Sequence, residues 1–138
     1  MLEIEGLEKH YGDLKAVKGL NLTIQPGEIF CMLGANGAGK TTTLMVSLGF
    51  TDPTRGTVKI CGIDVTRDPL EAKKHVAYVS ENVMLYGNFT ARQNLDFFTK
   101  LGGVKDATDQ DYEQVLKRVG LQEDAFNRRV KGFSKGMR

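Results

Sequence analysis

The chain has 138 residues, enough for one domain with a real core, and its charged residues nearly balance at a net charge of +2. So small a net charge does not indicate a nucleic-acid-binding or membrane-surface protein, and 26% charged with 41% hydrophobic residues excludes a disordered chain. Two cysteines are too few for a disulfide framework, and early glutamates argue against a secretory leader, so we expect a cytosolic protein with reduced thiols.

The first third of the chain predicts three strands and a helix. Residues 2–7 and 20–24 alternate between apolar and polar side chains, which is typical of strands with one buried face. The continuously apolar run 29–33 is typical of a strand buried on both faces of a parallel sheet, and Cys31 within it is expected to be buried. A glycine-rich loop follows, and then a helix over about 40–48.

Strand and helix patterns continue to alternate in the middle of the chain. Residues 58–65 have strand character, Asp68 opens a short helix that runs to about Lys74, and 76–79 predict another short buried strand. Strands and helices in this order indicate an α/β domain.

From Thr90 onward the pattern is helical. Thr90 and Gln93 fit a capping box, and apolar residues recur at helical spacing over 112–119, with Gly120 as a C-terminal stop. We therefore divide the chain into an α/β core, 1–89, and a helical subdomain, 90–138. A helix that begins at Ser134 has only four residues to follow it, so we expect the sequence to be incomplete at its C-terminus.

The strongest motif is the sequence GANGAGKT at 34–41, which matches G-x-x-x-x-G-K-[ST] at every position. Between a strand and a helix, such a loop turns successive N–H groups toward an anion, and the helix N-terminus adds partial positive charge. Lys40 supplies a charge for the β- and γ-phosphates, and the Thr41 hydroxyl is placed to bind Mg²⁺. The predicted nucleotide contacts of this segment are Asn36, Gly37, Ala38, Gly39, Lys40, Thr41 and Thr42. The loop alone does not separate ATP from GTP, or a kinase from a motor or a transporter subunit.

Other short motifs accompany the loop in a fixed order along the whole chain. They include Tyr11-Gly12, Gly56-Thr57-Val58, Ala77-Tyr78-Val79-Ser80-Glu81, Thr90-Ala91-Arg92-Gln93-Asn94-Leu95 and Phe133-Ser134-Lys135-Gly136-Met137-Arg138. This set resembles the nucleotide-binding domain of ATP-binding cassette (ABC) transporters, most closely that of the drug- and polysaccharide-export type. The resemblance implies an α/β P-loop NTPase (RecA-like) core with N-terminal β-strands and an appended α-helical subdomain. It also implies that ATP and Mg²⁺ are the cofactors, and that ATP hydrolysis is coupled to transport by a membrane partner.

The resemblance also assigns roles to individual residues. Tyr11 stands where the family stacks an aromatic ring on adenine, and Val17 where a side chain packs beside the ribose or base, although Val17 equally suits the core. Glu81 occupies the position of the family's Q-loop glutamine, which implies a catalytic role beside Lys40 and a share in binding Mg²⁺ with Thr41. A glutamate there departs from the family pattern and adds negative charge near the phosphates.

Two further segments are implied to meet partners. Residues 133–137 resemble the LSGGQ signature, with Lys135 and Met137 as departures, so Ser134, Lys135 and Gly136 are expected to contact ATP held by the opposite subunit of a head-to-tail dimer. The apolar loop 82–89 is either a connector tucked onto the core or the surface that receives a transmembrane permease subunit. The implied location is cytoplasmic, at the inner face of the cell membrane through the permease, with no nucleic-acid partner.

The family's Walker B strand, catalytic glutamate, D-loop and switch histidine follow the signature and cannot be assigned here. We therefore expect residues 1–138 alone to bind Mg-nucleotide weakly without useful hydrolysis, and their sheet to lack one buried neighbour. Two alternatives stay open: a soluble ABC-type ATPase that acts on ribosomes or in DNA repair, and a nucleotide-dependent binding module without hydrolysis.

Overall fold

The computed structural model describes residues 1–138, which form two compact units, Met1–Tyr78 and Val79–Arg138. The first unit contains a β-sheet and two helices, and the second is helical. The loop 82–89, which we placed with the α/β core, belongs to the second unit because the backbone of Tyr86 is hydrogen-bonded to the Asn94 side chain. No helix combines the length and the apolar composition that a membrane span needs.

The sheet of the first unit is antiparallel, in the order β2-β1-β3-β4. Its strands are β1 (Leu2–Tyr11), β2 (Leu14–Ile24), β3 (Arg55–Ile60) and β4 (Ile63–Asp64). Ile4 and Leu7 are both buried although they are three residues apart, because a register shift between them turns Leu7 back toward the core. The predicted strands at 2–7, 20–24 and 58–60 are thus confirmed; Ile4, Leu7, Val58 and Ile60 are buried, whereas Leu20, Leu22 and Ile24 are only half-buried.

Two helices follow the predicted helix patterns of the first unit: α1 (Lys40–Ser47) and α2 (Pro69–Lys73). Val46 of α1 is fully buried in one core with residues of the sheet, among them Leu7 and Val58. The Asp68 side chain caps α2 by accepting the N–H of Glu71, and proline occupies the first turn, where its missing N–H costs nothing.

The predicted buried strands at 29–33 and 76–79 are not strands in this structure. Both segments lack a ladder partner, and Ile29 is 99% and Val79 80% exposed. Cys31 is exposed as well, so its predicted burial is wrong. The physical reason is that a strand exists only beside a neighbour that accepts its hydrogen bonds, and the antiparallel sheet of this unit includes neither segment.

The second unit contains α3 (Ala91–Leu101) and α4 (Asp109–Arg118), followed by short 3₁₀ turns at Glu123–Ala125, Val130–Gly132 and Lys135–Met137. The capping box predicted for α3 is confirmed, with Thr90 and Gln93 exchanging side-chain and backbone hydrogen bonds. A second one, formed by Thr108 and Asp111, starts α4. After α4 the chain turns at Gly120, whose φ of 79° is the left-handed conformation expected beyond a helix end.

Arg92 joins the two helices of the second unit. Its guanidinium bonds to Asp109, 3.2 Å away, and to Glu113, both on α4. The Tyr112 hydroxyl also reaches from α4 to Asp96 on α3, at 3.1 Å. The core beneath consists of apolar side chains from α3, α4 and the segments after them: Ala91, Leu116, Ala125, Phe126, Val130 and Phe133.

Candidate functional site

The segment 34–42 leaves several backbone N–H groups free at the start of α1. Within the loop, Ala38 donates to the carbonyl of Ala35 at 3.2 Å, and the first bond into the helix runs from the Thr43 N–H to the Gly39 carbonyl. The N–H groups of Lys40, Thr41 and Thr42 therefore have no carbonyl partner, as is normal in the first turn of a helix. Three such donors at the positive end of a helix dipole make a site for an anion.

Gly39 holds this loop in its shape. Its φ is 85°, a left-handed conformation, and a Cβ at this position would lie 2.4 Å from the carbonyl oxygen of Ala16 on β2. Glycine alone satisfies both constraints, because it has no Cβ and adopts positive φ without strain. The close approach of Gly39 to β2 fixes the start of α1 against the sheet.

A cleft of about 310 Å³ opens above this helix start. The residues that line it come from the β1–β2 hairpin and from the loop with the first turn of α1: Tyr11, Leu14, Ala16, Asn36, Gly37, Ala38, Gly39, Lys40, Thr41 and Thr42. The structure thus brings the loop residues and Tyr11 to one place although they are far apart in the chain.

Tyr11 and Val17 have different surroundings. The Tyr11 ring is 49% exposed and forms part of the cleft wall, with the Lys9 ammonium 5.1 Å from its centroid. Val17 is 7% exposed and belongs to the hydrophobic core, where its side chain lies against Gly39. Val17 thus packs in the core, and Ala16 and Leu14 line the cleft. Contact of Val17 with a ribose or base stays a prediction.

The Lys40 side chain folds back over its own loop. Its Nζ atom donates to the carbonyl oxygen of Gly34 at 2.6 Å and to that of Ala35 at 2.7 Å. The positive charge is therefore held at the loop, beside the free N–H groups of the helix start. A chain of anionic groups entering the cleft meets both kinds of donor.

The site residues predicted in the second unit are all exposed. Glu81 precedes the loop 82–89, and Ser134, Lys135 and Gly136 lie at the last 3₁₀ turn, beyond buried Phe133. No helix of regular length follows Ser134 within the chain; the turn Lys135–Met137 takes its place.

A family model described as "ABC transporter" matches residues 17–138, nearly the whole chain. The chain belongs to the ABC transporter family. This finding confirms the family identified from the loop and its accompanying motifs.

Individual ABC proteins support this membership. The chain is 39% identical over 127 residues to the ABC transporter ATP-binding protein NatA of Bacillus subtilis, covering 91% of this chain and 51% of NatA. It is 36% identical to the Nod factor export ATP-binding protein I of Ralstonia nicotianae, covering 100% of this chain and 43% of that protein. The chain thus spans about half the length of these curated relatives.

Solved ABC structures share the fold. A structure described as the ATP-binding subunit of an ABC transporter superposes with a TM-score of 0.82 at 28% identity, over 99% of this chain and 57% of that one. A dimeric bacterial ABC transporter cassette superposes with a TM-score of 0.80 at 25% identity, over 99% of this chain and 65% of that one. The predicted fold class, an α/β P-loop NTPase with an appended helical part, is confirmed.

Asn94 in the second unit has a structural role that was not predicted from the sequence, where it was only one residue of a motif. Asn94 is 4% exposed, its Oδ1 accepts the N–H of Tyr86, and its Nδ2 donates to the carbonyls of Tyr86 and Thr90. These bonds fix the loop 82–89 of this ABC protein on α3. The available signal was a polar side chain on the helical face of Ala91, Leu95 and Phe98.

Proposed function

We propose that this chain is part of the ATP-binding subunit of an ABC transporter and that the cleft at the start of α1 holds the nucleotide. The observation that carries the proposal is the convergence of free N–H groups, the Lys40 ammonium and the Tyr11 ring on one cleft. The first two recognise phosphates, and the ring offers an aromatic face to adenine. Family membership supports ATP as the nucleotide.

Within this proposal, Asn36, Gly37, Ala38, Gly39, Lys40, Thr41 and Thr42 surround the phosphates. The residues present fit magnesium bound to a nucleotide, because the exposed Thr41 hydroxyl stands among the N–H groups that bind the phosphates. When bound there, Mg²⁺ neutralises phosphate charge, and Glu81 is proposed as a second oxygen ligand and as a catalytic group with Lys40.

We further propose that ATP joins two such subunits head to tail, with Ser134, Lys135 and Gly136 of one subunit meeting the γ-phosphate held by the other. The exposure of these residues supports a role in contact with a partner. The loop 82–89 is the proposed docking place of a transmembrane permease subunit, which would hold the protein at the cytoplasmic face of the membrane. Met84 is 85% and Tyr86 49% exposed, and apolar side chains exposed in this way support contact of the loop with a partner.

Residues 1–138 alone are proposed to bind ATP without hydrolysing it at a useful rate. The polar groups that line the cleft are amides, hydroxyls and an ammonium, and none of its lining side chains is a carboxylate or imidazole that could act as a general base. Glu81, which is proposed to act with Mg²⁺, is not part of this lining, so a general base for the attacking water would have to come from another residue outside the cleft.

Calorimetric titration of the chain with Mg-ATP, AMP and inorganic tripolyphosphate tests the proposal. We expect Mg-ATP to bind most tightly, tripolyphosphate more weakly and AMP weakest, because the loop recognises the phosphate chain and Tyr11 the base. Release of inorganic phosphate, followed in the same samples, should stay at the rate of the uncatalysed control. Equal affinity for AMP and Mg-ATP would contradict the assignment of the cleft, and rapid phosphate release would contradict the proposed lack of hydrolysis.

A further inference from the structure

Four partly exposed aromatic rings contact one another on the second unit: Tyr86, Phe89, Phe97 and Phe98. The centroid of Tyr86 is 4.9 Å from that of Phe97 and 5.2 Å from that of Phe89, while Phe89 and Phe97 are 6.4 Å apart. The four residues are 37% to 49% exposed. Aromatic residues in mutual contact at a surface are typical of the centre of a protein interface.

The surface beside these rings is concave. A hollow of about 460 Å³ is lined by two of the aromatic side chains and by the exposed turns of α3: Phe89, Gln93, Asp96, Phe97, Lys100 and Leu101. Asp96 and Lys100 pair with each other at 2.8 Å, so they bring little net charge to it. A hollow of this size accepts a protruding apolar side chain.

Basic residues border the same loop. The backbone of 129–131 runs alongside 87–90: Val130 donates to the carbonyl of Phe89 and Lys131 to that of Gly87, both at 2.9 Å. Thr90 and Arg129 form an isolated antiparallel bridge, and a Cβ at Gly87 would lie 3.4 Å from the Cβ of Lys131. Arg129 and Lys131 are therefore fixed neighbours of the aromatic loop.

These two cations have no acidic partner within the chain. Arg128 pairs with Asp124 at 3.5 Å, whereas Arg129 and Lys131 are exposed and form no ion pair. No acidic residue occurs from 125 to 138. Positive charge next to an apolar surface complements a ligand that has negative charge next to apolar side chains.

We propose that Tyr86, Phe89, Phe97, Arg129 and Lys131 form one docking surface, which selects a protein segment with acidic side chains beside an apolar one. This proposal rests on the proposed function, because it takes the partner to be a protein. What it adds is that the docking segment of the partner is acidic and that Arg129 and Lys131 recognise it. The hollow favours a protein segment over a bilayer, because a flat lipid surface leaves a concavity unfilled.

Three short helical peptides with the same leucine and phenylalanine face test the selection. Their polar faces carry glutamate, glutamine or lysine, and fluorescence anisotropy measures their binding to the chain at low and high salt. We expect the glutamate peptide to bind about tenfold more tightly than the lysine peptide at low salt, with a smaller difference at high salt. Equal binding of the glutamate and lysine peptides to the unaltered protein would overturn the proposal.

The double substitution Arg129→Glu/Lys131→Glu should reverse this preference, with about a tenfold loss for the glutamate peptide. Arg118→Glu/Lys105→Glu is the matched control, because it changes the net charge by the same amount at two exposed residues that form no ion pair, and it should leave the preference unchanged. Phe97→Ser should lower the affinity for all three peptides by the same factor, because it removes apolar contact but no charge. A preference that survives the double substitution would overturn the assignment of Arg129 and Lys131.

Sedimentation with phosphatidylglycerol vesicles tests whether the surface binds a lipid bilayer instead of a protein. Vesicle binding that the double substitution abolishes, without binding of any peptide, would overturn the proposal in favour of a lipid surface. Titration of the same preparation with Mg-ATP keeps this proposal separate from the nucleotide proposal. If the protein failed to bind ATP but still preferred the acidic peptide, only the proposed function would be contradicted. If it bound ATP but showed no preference among the peptides, only the docking surface would be contradicted.

Discussion

The Nζ atom of Lys40 lies 2.6 Å from the carbonyl oxygen of Gly34, so the loop binds the ammonium of its own lysine. A phosphate that enters the cleft competes with this carbonyl for the cation, and a charge-assisted bond to an anion is the stronger one. The same lysine therefore stabilises the loop and, under the proposed function, is also the cation that meets the phosphates.

Lys40→Ala should lower the affinity for Mg-ATP by between about tenfold and a hundredfold, the range expected when hydrogen bonds to a charged group are lost. Lys105→Ala, at an exposed lysine of the second unit, is the matched control and should bind as the unaltered protein does. Calorimetry measures both. If the Lys40 variant kept full affinity, the phosphates would have to bind elsewhere.

Tyr11 forms a wall of the cleft, and its replacement separates recognition of the base from recognition of the phosphates. Tyr11→Leu should lower the affinity for ATP by about tenfold, because stacking on the base is lost, whereas Tyr11→Phe should have little effect. Neither variant should change the affinity for inorganic tripolyphosphate, which has no base. An equal loss for ATP and tripolyphosphate would show that Tyr11 acts on loop structure and not on adenine.

Gly39 and Gly37 have nearly the same φ, 85° and 83°, but different surroundings. A Cβ at Gly39 would lie 2.4 Å from the Ala16 carbonyl oxygen, whereas a Cβ at Gly37 would meet nothing within 4 Å. Gly37→Ala should lower the free energy of unfolding by about 1 kcal/mol through backbone strain, and Gly39→Ala by roughly 3 kcal/mol through strain and overlap. Urea unfolding measures the difference, and equal losses would argue against the close approach of Gly39 to β2.

Asn94 satisfies the N–H and the carbonyl of Tyr86 at once. Asn94→Ala leaves the Tyr86 N–H without its partner at a partly buried position, whereas the Tyr86 carbonyl keeps the N–H of Phe89, and the change should cost about 1–2 kcal/mol of unfolding free energy. Asn88→Ala, at an exposed loop position without side-chain hydrogen bonds, should cost less than about 0.5 kcal/mol. Hydrogen exchange of the Tyr86 amide should be faster in the first variant only; unchanged exchange would contradict the role of Asn94 as the clamp of the loop.

The hydrogen bonds of Asp64 should make the stability of the folded protein depend on pH. Its Oδ1 accepts the Thr66 hydroxyl at 2.6 Å and the N–H groups of Thr66 and Arg67, and the Thr66 hydroxyl is the largest cause that lowers the pKa of this carboxyl. A lowered pKa in the folded state means that the stabilisation is complete above the ordinary pKa of about 4 and is lost as the pH falls through the lower folded value.

The difference in unfolding free energy between the unaltered protein and Asp64→Ala should therefore be constant from neutral pH to about pH 5 and should shrink below about pH 4. Asp64→Asn retains an acceptor for Thr66 and should be less destabilised than the alanine variant. Urea unfolding at several pH values measures both. If the difference in unfolding free energy instead grew as the pH fell, the folded state would not stabilise the Asp64 carboxylate, and this prediction would be wrong.

The helices could be predicted from sequence because local residues determine where they start. Thr90 with Gln93, and Asp68 before Pro69, supply the caps within one turn of the helix that they begin. The loop at 34–41 was equally readable, since its glycines and its lysine act through neighbouring backbone.

Features that depend on distant partners were not predictable in the same way. The apolar run 29–33 has the composition of a buried strand, but composition does not provide the neighbour that a strand needs. The burial of Val17 depends on side chains that are distant in the sequence, and the bridge from Thr90 to Arg129 joins segments with no shared sequence pattern.

The exposed run 29–33 also governs how the protein behaves in the test tube. Ile29 and Leu33 present nearly their whole surface to water, at 99% and 87%, in a segment that has no ladder partner and can pair with the same run of another molecule. Such self-association increases with protein concentration and weakens on cooling, because burial of apolar surface is favoured less at low temperature. Dilute, cold samples will therefore report the properties of the single chain.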